Sequence, residues 1–116
     1  MLNDPTIDDI RAAAGRIGPY VHRTPVATCA SIDAIAGASL FFKCENLQKV
    51  GAFKARGATI AVFSLSYEAA ACGVCTHSSG NHAAEMARAA GLRGIPAHIV
   101  MPSWALQVKK AAVAGY

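Results

Sequence analysis

The chain has 116 residues, of which 53% are hydrophobic and 16% are charged, and its formal net charge is +4. This composition excludes intrinsic disorder, which needs low hydrophobicity and high net charge, and no apolar run approaches the roughly 20 residues that cross a bilayer. Because the acidic N-terminus lacks the pattern of a signal peptide and the basic residues are scattered, we expect a cytoplasmic globular protein that binds neither membranes nor nucleic acids.

The first predicted helix begins with a capping-box pattern and carries apolar residues at helical spacing. Thr6 precedes it, Asp9 occupies its third position, and Gly18-Pro19 ends it. A short helix over 31–36 follows and closes at Gly37. Between these two helices, His22-Arg-Thr-Pro25 is predicted to be extended, because Pro25 biases Thr24 away from the helical region.

The rest of the chain alternates predicted strands with predicted helices. Strands are expected over 39–45, 73–77 and 95–101, and helices over 53–65, 82–90 and 104–114. On the helix over 53–65, we expect Phe53, Gly57 and Ile60 to share one face. Strands that alternate with helices over short connections predict a parallel α/β sheet with right-handed crossovers.

Two strand-to-helix connections are candidate ligand sites, because ligands of open α/β sheets bind beyond the carboxyl ends of strands. One connection covers 46–57, after the strand that ends at Glu45. The other is Ser78-Ser-Gly-Asn-His82, after the strand that ends at His77. Both lead into the N-terminus of a helix, so both offer backbone amide groups to an anion.

Lys54 is the candidate nucleophile of the first connection. The partial positive charge of a helix N-terminus disfavours an ammonium, and Lys43, Lys49 and Arg56 act in the same direction if their charged ends lie nearby. A lysine whose amine is easily deprotonated is suited to forming a Schiff base. The alternative is a surface lysine whose stem covers apolar area.

The second connection has the composition of an anion site. Gly80 allows the backbone to approach a ligand, and Asn81 is a good N-cap for the following helix. The hydroxyls of Ser78 and Ser79 and the exposed amides suit a carboxylate or phosphate. His82 is either a general base or, as we prefer, a packed side chain. The alternative for the whole stretch is a plain loop with a good cap.

Cys72 and Cys75 have the CxxC spacing of redox and zinc sites. We expect them to be buried in an apolar strand as small core residues, while the redox or metal alternative requires exposed, reactive thiols. His22 and His98 are expected to be structural. The sequence contains no HExxH, GxxxxGK[ST] or GxGxxG pattern, and no metal site is predicted.

Five segments together resemble a known family. They are His22-Arg-Thr-Pro25, 40–48, 51–58, 76–82 and 94–102. In this order they resemble the N-terminal third of the fold-type II pyridoxal-phosphate enzymes, in the threonine/serine dehydratase and serine racemase branch. The resemblance implies a parallel three-layer α/β sandwich of the tryptophan synthase β-like type, present only in part. It implies that 1–45 belong to the large domain and that 46–116 begin the small domain.

The resemblance also implies residue roles. Lys54 forms the internal aldimine with pyridoxal phosphate and then moves the α-proton of the substrate. Phe53 packs beside the cofactor, and Asn81 hydrogen-bonds its ring hydroxyl. Ser79 is the acid/base on the cofactor face opposite Lys54. The substrate carboxylate is bound by Ser78, Ser79, Gly80, Asn81 and His82.

The activity that the resemblance implies is that of a serine/threonine dehydratase, an ammonia-lyase of hydroxy amino acid metabolism that acts on serine or threonine. One alternative is a serine racemase, and a second is an inactive fragment or association module. Because family members are much longer and carry a glycine-rich phosphate loop that this chain lacks, we expect an N-terminal fragment that is inactive alone. The full-length protein is expected to be a homo-oligomer.

Overall fold

The computed structural model describes residues 4–116, and residues 1–3 of the predicted first segment lie outside this range. Along residues 4–116, six helices and four strands follow one another, joined in part by short 3-10 turns over Gly18–Tyr20, Glu45–Leu47 and Lys49–Gly51. In chain order the elements are α1 (Ile7–Ile17), β1 (Val26–Ala27), α2 (Ala30–Ala36), β2 (Phe42–Lys43), α3 (Lys54–Phe63), α4 (Tyr67–Ala71), β3 (Val74–His77), α5 (Asn81–Arg93), β4 (Ala97–Val100) and α6 (Gln107–Ala114). Within residues 4–116, no helix combines the length and apolarity that a membrane crossing requires.

Helix α1 confirms the predicted capping box. The hydroxyl of Thr6 accepts a hydrogen bond from the Asp9 amide at 3.2 Å, and the Thr6 amide donates to the Asp9 carboxylate at 2.8 Å. The Thr6 hydroxyl also donates to the Asp9 carboxylate at 2.7 Å, and this bond, together with the bond from the Thr6 amide, lowers the pKa of Asp9. The helix ends at Gly18 as predicted, and the ring of Tyr20 in the following turn lies 4.2 Å from that of Phe63 on α3.

The segment between α1 and α3 differs from the prediction of a parallel sheet. β1 and β2 pair antiparallel, with Val26 opposite Lys43, and the strand predicted over 39–45 contains only two residues. The ladder closes where the Cys44 amide donates to the Pro25 carbonyl, and the chain then turns into a 3-10 helix. Helix α2 ends as predicted at Gly37, whose φ of 65° is in the left-handed region.

The second half of the chain confirms the predicted parallel βαβ unit. β3 and β4 pair in parallel from Val74 opposite Ala97 to His77 opposite Val100, and α5 is the crossover. Just before β3 and β4, the backbone segments approach so closely that a Cβ at Gly73 would lie 2.6 Å from the Pro96 carbonyl oxygen. Gly73 also has a φ of 77°, which side-chain-bearing residues rarely adopt.

The core lies between α3, α5 and the parallel strands. Ala58 and Val62 of α3 pack against Met86 and Ala89 of α5, with Val74 and other strand residues beside them. The buried face of α3 is therefore not the predicted one, since Phe53 is 62% exposed. Small side chains allow two helices to approach closely, so alanines rather than the largest residues mark this contact. The predicted face members Gly57 and Ile60 are exposed and half-buried, respectively.

The end of α5, the start of α6 and the presence of α4 are the main differences from the predicted helices. α5 continues through Gly91 and ends at Gly94, which has the left-handed φ of 70° that the end of a helix favours. α4 was not predicted, and Ser66 caps it by accepting a hydrogen bond from the Ala69 amide at 3.1 Å. α6 begins at Gln107, later than the predicted start at residue 104.

Candidate active site

The two predicted strand-to-helix connections border one cleft of about 970 Å³. Its walls are the turn before α3, the loop between β3 and α5, and the segment that follows β4. The carboxyl ends of β3 and β4 thus lie at the cleft, as expected for an open parallel sheet. The predicted residues that line it are Phe53, Lys54, Ser78, Ser79, Asn81 and His82. Gly80 lies in the loop between them.

Lys54 is the first residue of α3 and its side chain is exposed. Its Nζ lies 5.3 Å from the centroid of the Phe53 ring, close enough for a cation–π contact. Two of the cations that the sequence placed near it have other partners, since Arg56 pairs with Glu45 and Lys43 donates to the Thr24 carbonyl. The first turn of the helix and the aromatic ring therefore form the immediate surroundings of the amine.

The side chain of Gln48 fixes the turn before Lys54 through two hydrogen bonds to the backbone of His22. This buried side chain accepts a hydrogen bond from the His22 amide and donates one to the His22 carbonyl, both at 2.7 Å. Val50 in the same turn has a φ of 55°, a conformation that β-branched residues rarely adopt. Gly51 follows with a φ of 68°. The backbone is thus held in an unusual path just before the amine.

Glu45 lines the cleft and was not recognised in the sequence as a site residue. Arg56 donates to it through Nε at 2.9 Å and through Nη2 at 2.7 Å, and the Thr24 hydroxyl donates to it at 2.5 Å. The hydrogen bonds from Arg56 are the largest cause that lowers the pKa of Glu45, to about 2. Glu45 is therefore a carboxylate at neutral pH, and it pairs with Arg56.

The loop between β3 and α5 corrects one prediction. The N-cap of α5 is Gly80, and Asn81 is instead its first residue. The Ser78 hydroxyl accepts a hydrogen bond from the Gly80 amide at 3.2 Å, which shapes the turn. In the part of the chain that the structure describes, no side chain caps α5, so its first amide groups remain open to an anion.

Asn81 has a partner that the sequence did not reveal. Its side-chain Oδ1 accepts a hydrogen bond from Lys109 Nζ at 3.2 Å, and the two residues are separated by 28 positions. His77 and the segment from Val100 to Pro102 also line the cleft. No local sequence signal marks these residues, because the pairing of β3 with β4 and the packing of α6 on α5 bring them to the cleft.

Cys72 and Cys75 are both exposed, so the prediction that they are buried is wrong. β3 is half-buried at alternate residues, Val74 and Thr76, and Cys75 points to the other, exposed side. Among residues 4–116, no three His, Cys, Asp or Glu side chains are arranged to hold a metal ion. The redox interpretation of the two thiols stays a prediction.

The sequence of the chain matches known proteins of one family. The family profile described as "Pyridoxal-phosphate dependent enzyme" matches residues 17–116. A beta-hydroxyaspartate dehydratase of Paracoccus denitrificans is 55% identical over 112 residues, which are 97% of this chain and 36% of that protein. A serine racemase of Oryza sativa subsp. indica is 62% identical over 96 residues, 83% of this chain and 28% of the relative.

Among solved structures, that of maize serine racemase matches with a TM-score of 0.91 and 58% sequence identity. The match covers 98% of this chain and 35% of the maize chain. The chain thus spans about a third of the length of the proteins it matches, with 36% and 28% covered in the two relatives above. Its elements are those of a partial fold-type II α/β sandwich.

Proposed function

The chain belongs to the family of pyridoxal-phosphate-dependent enzymes, and on this premise we propose that it carries the reactive lysine and the substrate-carboxylate loop of a serine/threonine ammonia-lyase. The observation that carries the proposal is that Lys54 and the loop 78–82 line one cleft. The substrates are small β-hydroxy amino acids. The names of two relatives, a β-hydroxyaspartate dehydratase and a serine racemase, support this class.

The donor groups of the cleft fit pyridoxal phosphate. Lys54 offers an amine for the aldehyde, Phe53 offers an apolar wall for the ring, and Asn81 offers an amide for the ring oxygen. When bound, the cofactor withdraws electrons from the α-carbon of an amino acid. Lys54 would bind the cofactor covalently and, once released, would move the proton at the substrate α-carbon.

The loop 78–82 would bind and orient the substrate. The open amides at the start of α5 carry partial positive charge and suit the substrate carboxylate, with hydroxyl groups from Ser78 and Ser79 beside them. A fixed carboxylate restricts the α-carbon to one position relative to Lys54. Departure of the β-hydroxyl as water after proton removal would leave an enamine, which tautomerises to an imine, and hydrolysis of the imine by water gives the ammonia-lyase products, a keto acid and ammonia.

Serine racemase is the second candidate, and Ser79 favours it. The Ser79 side chain is exposed and lines the same cleft as Lys54. A hydroxyl that holds a proton on the face opposite Lys54 would return it to the α-carbon with inverted configuration. The two activities differ in which group meets the α-carbon after Lys54 removes its proton.

The first test traps the cofactor on its lysine. The chain is incubated with pyridoxal phosphate, treated with borohydride and digested, and the modified peptides are identified by mass spectrometry. We expect one dominant adduct at Lys54, which Lys54→Arg removes and Lys110→Arg leaves unchanged. An adduct spread evenly over the lysines would overturn the proposal.

The second test measures activity on the protein as its gene encodes it. Keto acid and ammonia are measured with L-serine, L-threonine and 3-hydroxyaspartate, and the D-enantiomers are measured by chiral chromatography. Keto acid formation that depends on Lys54 supports the ammonia-lyase. Inversion without keto acid formation would favour the racemase over the lyase. If neither product forms and the gene ends with this chain, the inactive fragment is the remaining alternative.

We also propose that 1–45 contribute to a large domain and that 46–116 begin a small one. The parallel βαβ unit and α3 all lie in 46–116, which supports this division. α1 nevertheless packs on α3, and Tyr20 in the turn after α1 contacts Phe63 of α3, so the two parts are in contact. A homo-oligomeric full-length protein and a cytoplasmic location belong to the same proposal.

A further inference from the structure

We propose that Lys109 is a positioning residue that orients the side-chain amide of Asn81 for the cofactor. The inference rests on the proposed function, in which Asn81 meets the ring oxygen of pyridoxal phosphate. Lys109 lies in the first turn of α6, and its Nζ donates to Asn81 Oδ1 at 3.2 Å. Asn81 itself lines the cleft. The contact therefore joins α6 to the first residue of α5.

The chemistry of the two groups leaves one orientation for the amide. A lysine ammonium has three donors and no acceptor, so only the oxygen of Asn81 can face it. The planar amide then directs its Nδ2 group away from Lys109. Asn81 consequently presents a hydrogen-bond donor rather than an acceptor to a ligand on that other side, which suits an anionic or carbonyl oxygen.

The positive charge of Lys109 also strengthens that donor. A cation bound to the amide oxygen polarises the amide, and hydrogen bonds in a chain reinforce one another. An anionic oxygen held by Nδ2 gains in addition from the nearby ammonium. Lys109 would thus strengthen the hold of Asn81 on an anionic oxygen without touching that oxygen.

The position of Lys109 is a poor choice for the stability of α6. A cation in the first turn opposes the partial positive charge of the helix N-terminus. The contact with Asn81 is exposed, and exposed polar contacts contribute little to folding. Its removal is therefore expected to change ligand binding more than unfolding.

The neighbouring residue supplies a matched control. Lys110 is in the same turn of α6, and its Nζ donates to the Ser103 carbonyl at 2.6 Å instead of to the cleft. Lys109→Met and Lys110→Met each remove one ammonium and keep an apolar stem of similar length. Thermal unfolding of both variants shows whether α6 remains folded.

The first readout is the affinity for pyridoxal phosphate, measured from the fraction trapped at Lys54 over a range of cofactor concentrations. We expect Lys109→Met to raise the apparent Kd about tenfold, which corresponds to the loss of one hydrogen bond to a charged group. Lys110→Met should match the wild type, and Lys109→Arg should restore most of the affinity because it also carries donors only.

A double-mutant cycle tests whether Lys109 acts through Asn81. Asn81→Ala removes both the acceptor for Lys109 and the donor toward the ligand without adding a charge, so it should weaken binding by itself. In the Asn81→Ala background, Lys109→Met should no longer weaken binding further. Independent, additive losses would show that Lys109 meets the cofactor directly and would overturn the proposal.

A second readout does not depend on the cofactor. The side-chain amide resonances of Asn81, identified by their absence in Asn81→Asp, should shift in Lys109→Met and stay in place in Lys110→Met. Unshifted resonances in Lys109→Met would overturn the orientation. A shift without any wild-type adduct at Lys54 would preserve the orientation and reject the proposed function.

Discussion

At the scale of single residues, Glu45 links the cleft to the acid stability of the chain. Its pKa falls from 4.5 to about 2, chiefly through the hydrogen bonds from Arg56. A carboxyl group with a lowered folded-state pKa stabilises the protein above its unfolded pKa. That contribution is lost as the pH falls from about 4.5 toward 2.

We therefore predict that Glu45→Gln lowers the free energy of unfolding at neutral pH by about 1–3 kcal/mol, the cost of losing hydrogen bonds to a charged group. The difference from the wild type should disappear as the pH approaches 2, the region where Glu45 itself becomes protonated. Urea unfolding at a series of pH values measures both effects.

Asp8→Asn is the control for this prediction, because the ion pair of Asp8 with Arg11 is exposed on both sides. Exposed pairs of this kind contribute about 0–1 kcal/mol, so the control should resemble the wild type throughout. A constant difference between Glu45→Gln and the wild type down to pH 2 would contradict the assignment of this pKa.

Ser79 separates the two candidate activities at the level of one hydroxyl. In the protein as its gene encodes it, we predict that Ser79→Ala lowers inversion of serine by about 10²–10⁴, the usual contribution of a general acid or base. Keto acid formation should persist because Lys54 remains. Chiral chromatography and a keto acid assay measure the two products, and an equal loss of both would assign Ser79 to binding instead of proton transfer.

How well the sequence predicts a site residue depends on how far along the chain that residue lies from the residues it contacts. Lys54 and the loop 78–82 could be proposed as site residues from the sequence because each lies in a contiguous motif at a strand-to-helix connection; both line the cleft, and their roles stay predictions. Glu45 was missed because its role depends on Arg56 and Thr24, and Lys109 because 28 positions separate it from Asn81. Contacts of this kind exist only after packing.

At the scale of helices and strands, Arg88 forms hydrogen bonds that connect α3 and α5, the two helices that begin at the cleft. Its guanidinium donates to Glu85 at 2.8 Å on α5, to the Thr59 hydroxyl at 3.3 Å on α3 and to the Tyr20 carbonyl at 3.2 Å. Glu85 is fully buried, and among the described residues its Oε1 has no hydrogen-bond partner. Burial raises the pKa of Glu85, with Arg88 acting in the opposite direction.

We predict that Arg88→Met destabilises the chain by about 3–5 kcal/mol at neutral pH, because it leaves a buried carboxylate without its ion-pair partner. A raised pKa stabilises the fold at low pH and loses that contribution as the pH rises through the folded-state pKa. The defect of Arg88→Met should therefore shrink in acid, as urea unfolding at two pH values would measure.

The double variant Glu85→Met/Arg88→Met is the matched control. Replacing both members of a buried pair by apolar side chains removes the unpaired charge, so most of the stability should return. A double variant as unstable as Arg88→Met would show that the guanidinium acts through Thr59 and Tyr20 instead of through Glu85.

The elements themselves were predictable where local chemistry decides them. The capping box at Thr6 and the left-handed Gly37 act within a few residues and were confirmed. The buried face of α3 was not predicted, because alanines pack there against α5 while Phe53 stays exposed. The extent of β2 also depends on its antiparallel partner, which no periodicity within 39–45 reveals.

At the scale of the whole molecule, the chain is more extended than a compact domain. Its radius of gyration is 16.9 Å, whereas a compact domain of this length has one of about 13 Å. The α/β class was predictable from the order of elements, and the fold type from motifs that recur in the family. The exposure of the part formed by β1, α2 and β2 was less predictable, because composition gives the hydrophobic fraction of the chain and not which hydrophobic residues are buried.

The exposed arm consists of β1, α2 and β2. The Asp33 carboxylate accepts a hydrogen bond from the Leu40 amide at 2.9 Å and thereby ties α2 to the segment before β2. Ile35 is 88% exposed and Phe41 is 73% exposed. Exposed large apolar side chains on one part of a chain favour association.

We predict that the 116-residue chain self-associates through this arm and that Ile35→Ser/Phe41→Ser shifts it toward the monomer, as sedimentation velocity would measure. Tyr67→Ser is the matched control, because Tyr67 is 90% exposed but lies on α4, outside the arm. Since neither Ile35 nor Phe41 is among the residues that line the cleft, trapping of pyridoxal phosphate at Lys54 should be the same in both variants. Equal loss of association in Tyr67→Ser would assign the contact to general hydrophobicity, and loss of trapping in the arm variant would show that the arm supports the cleft.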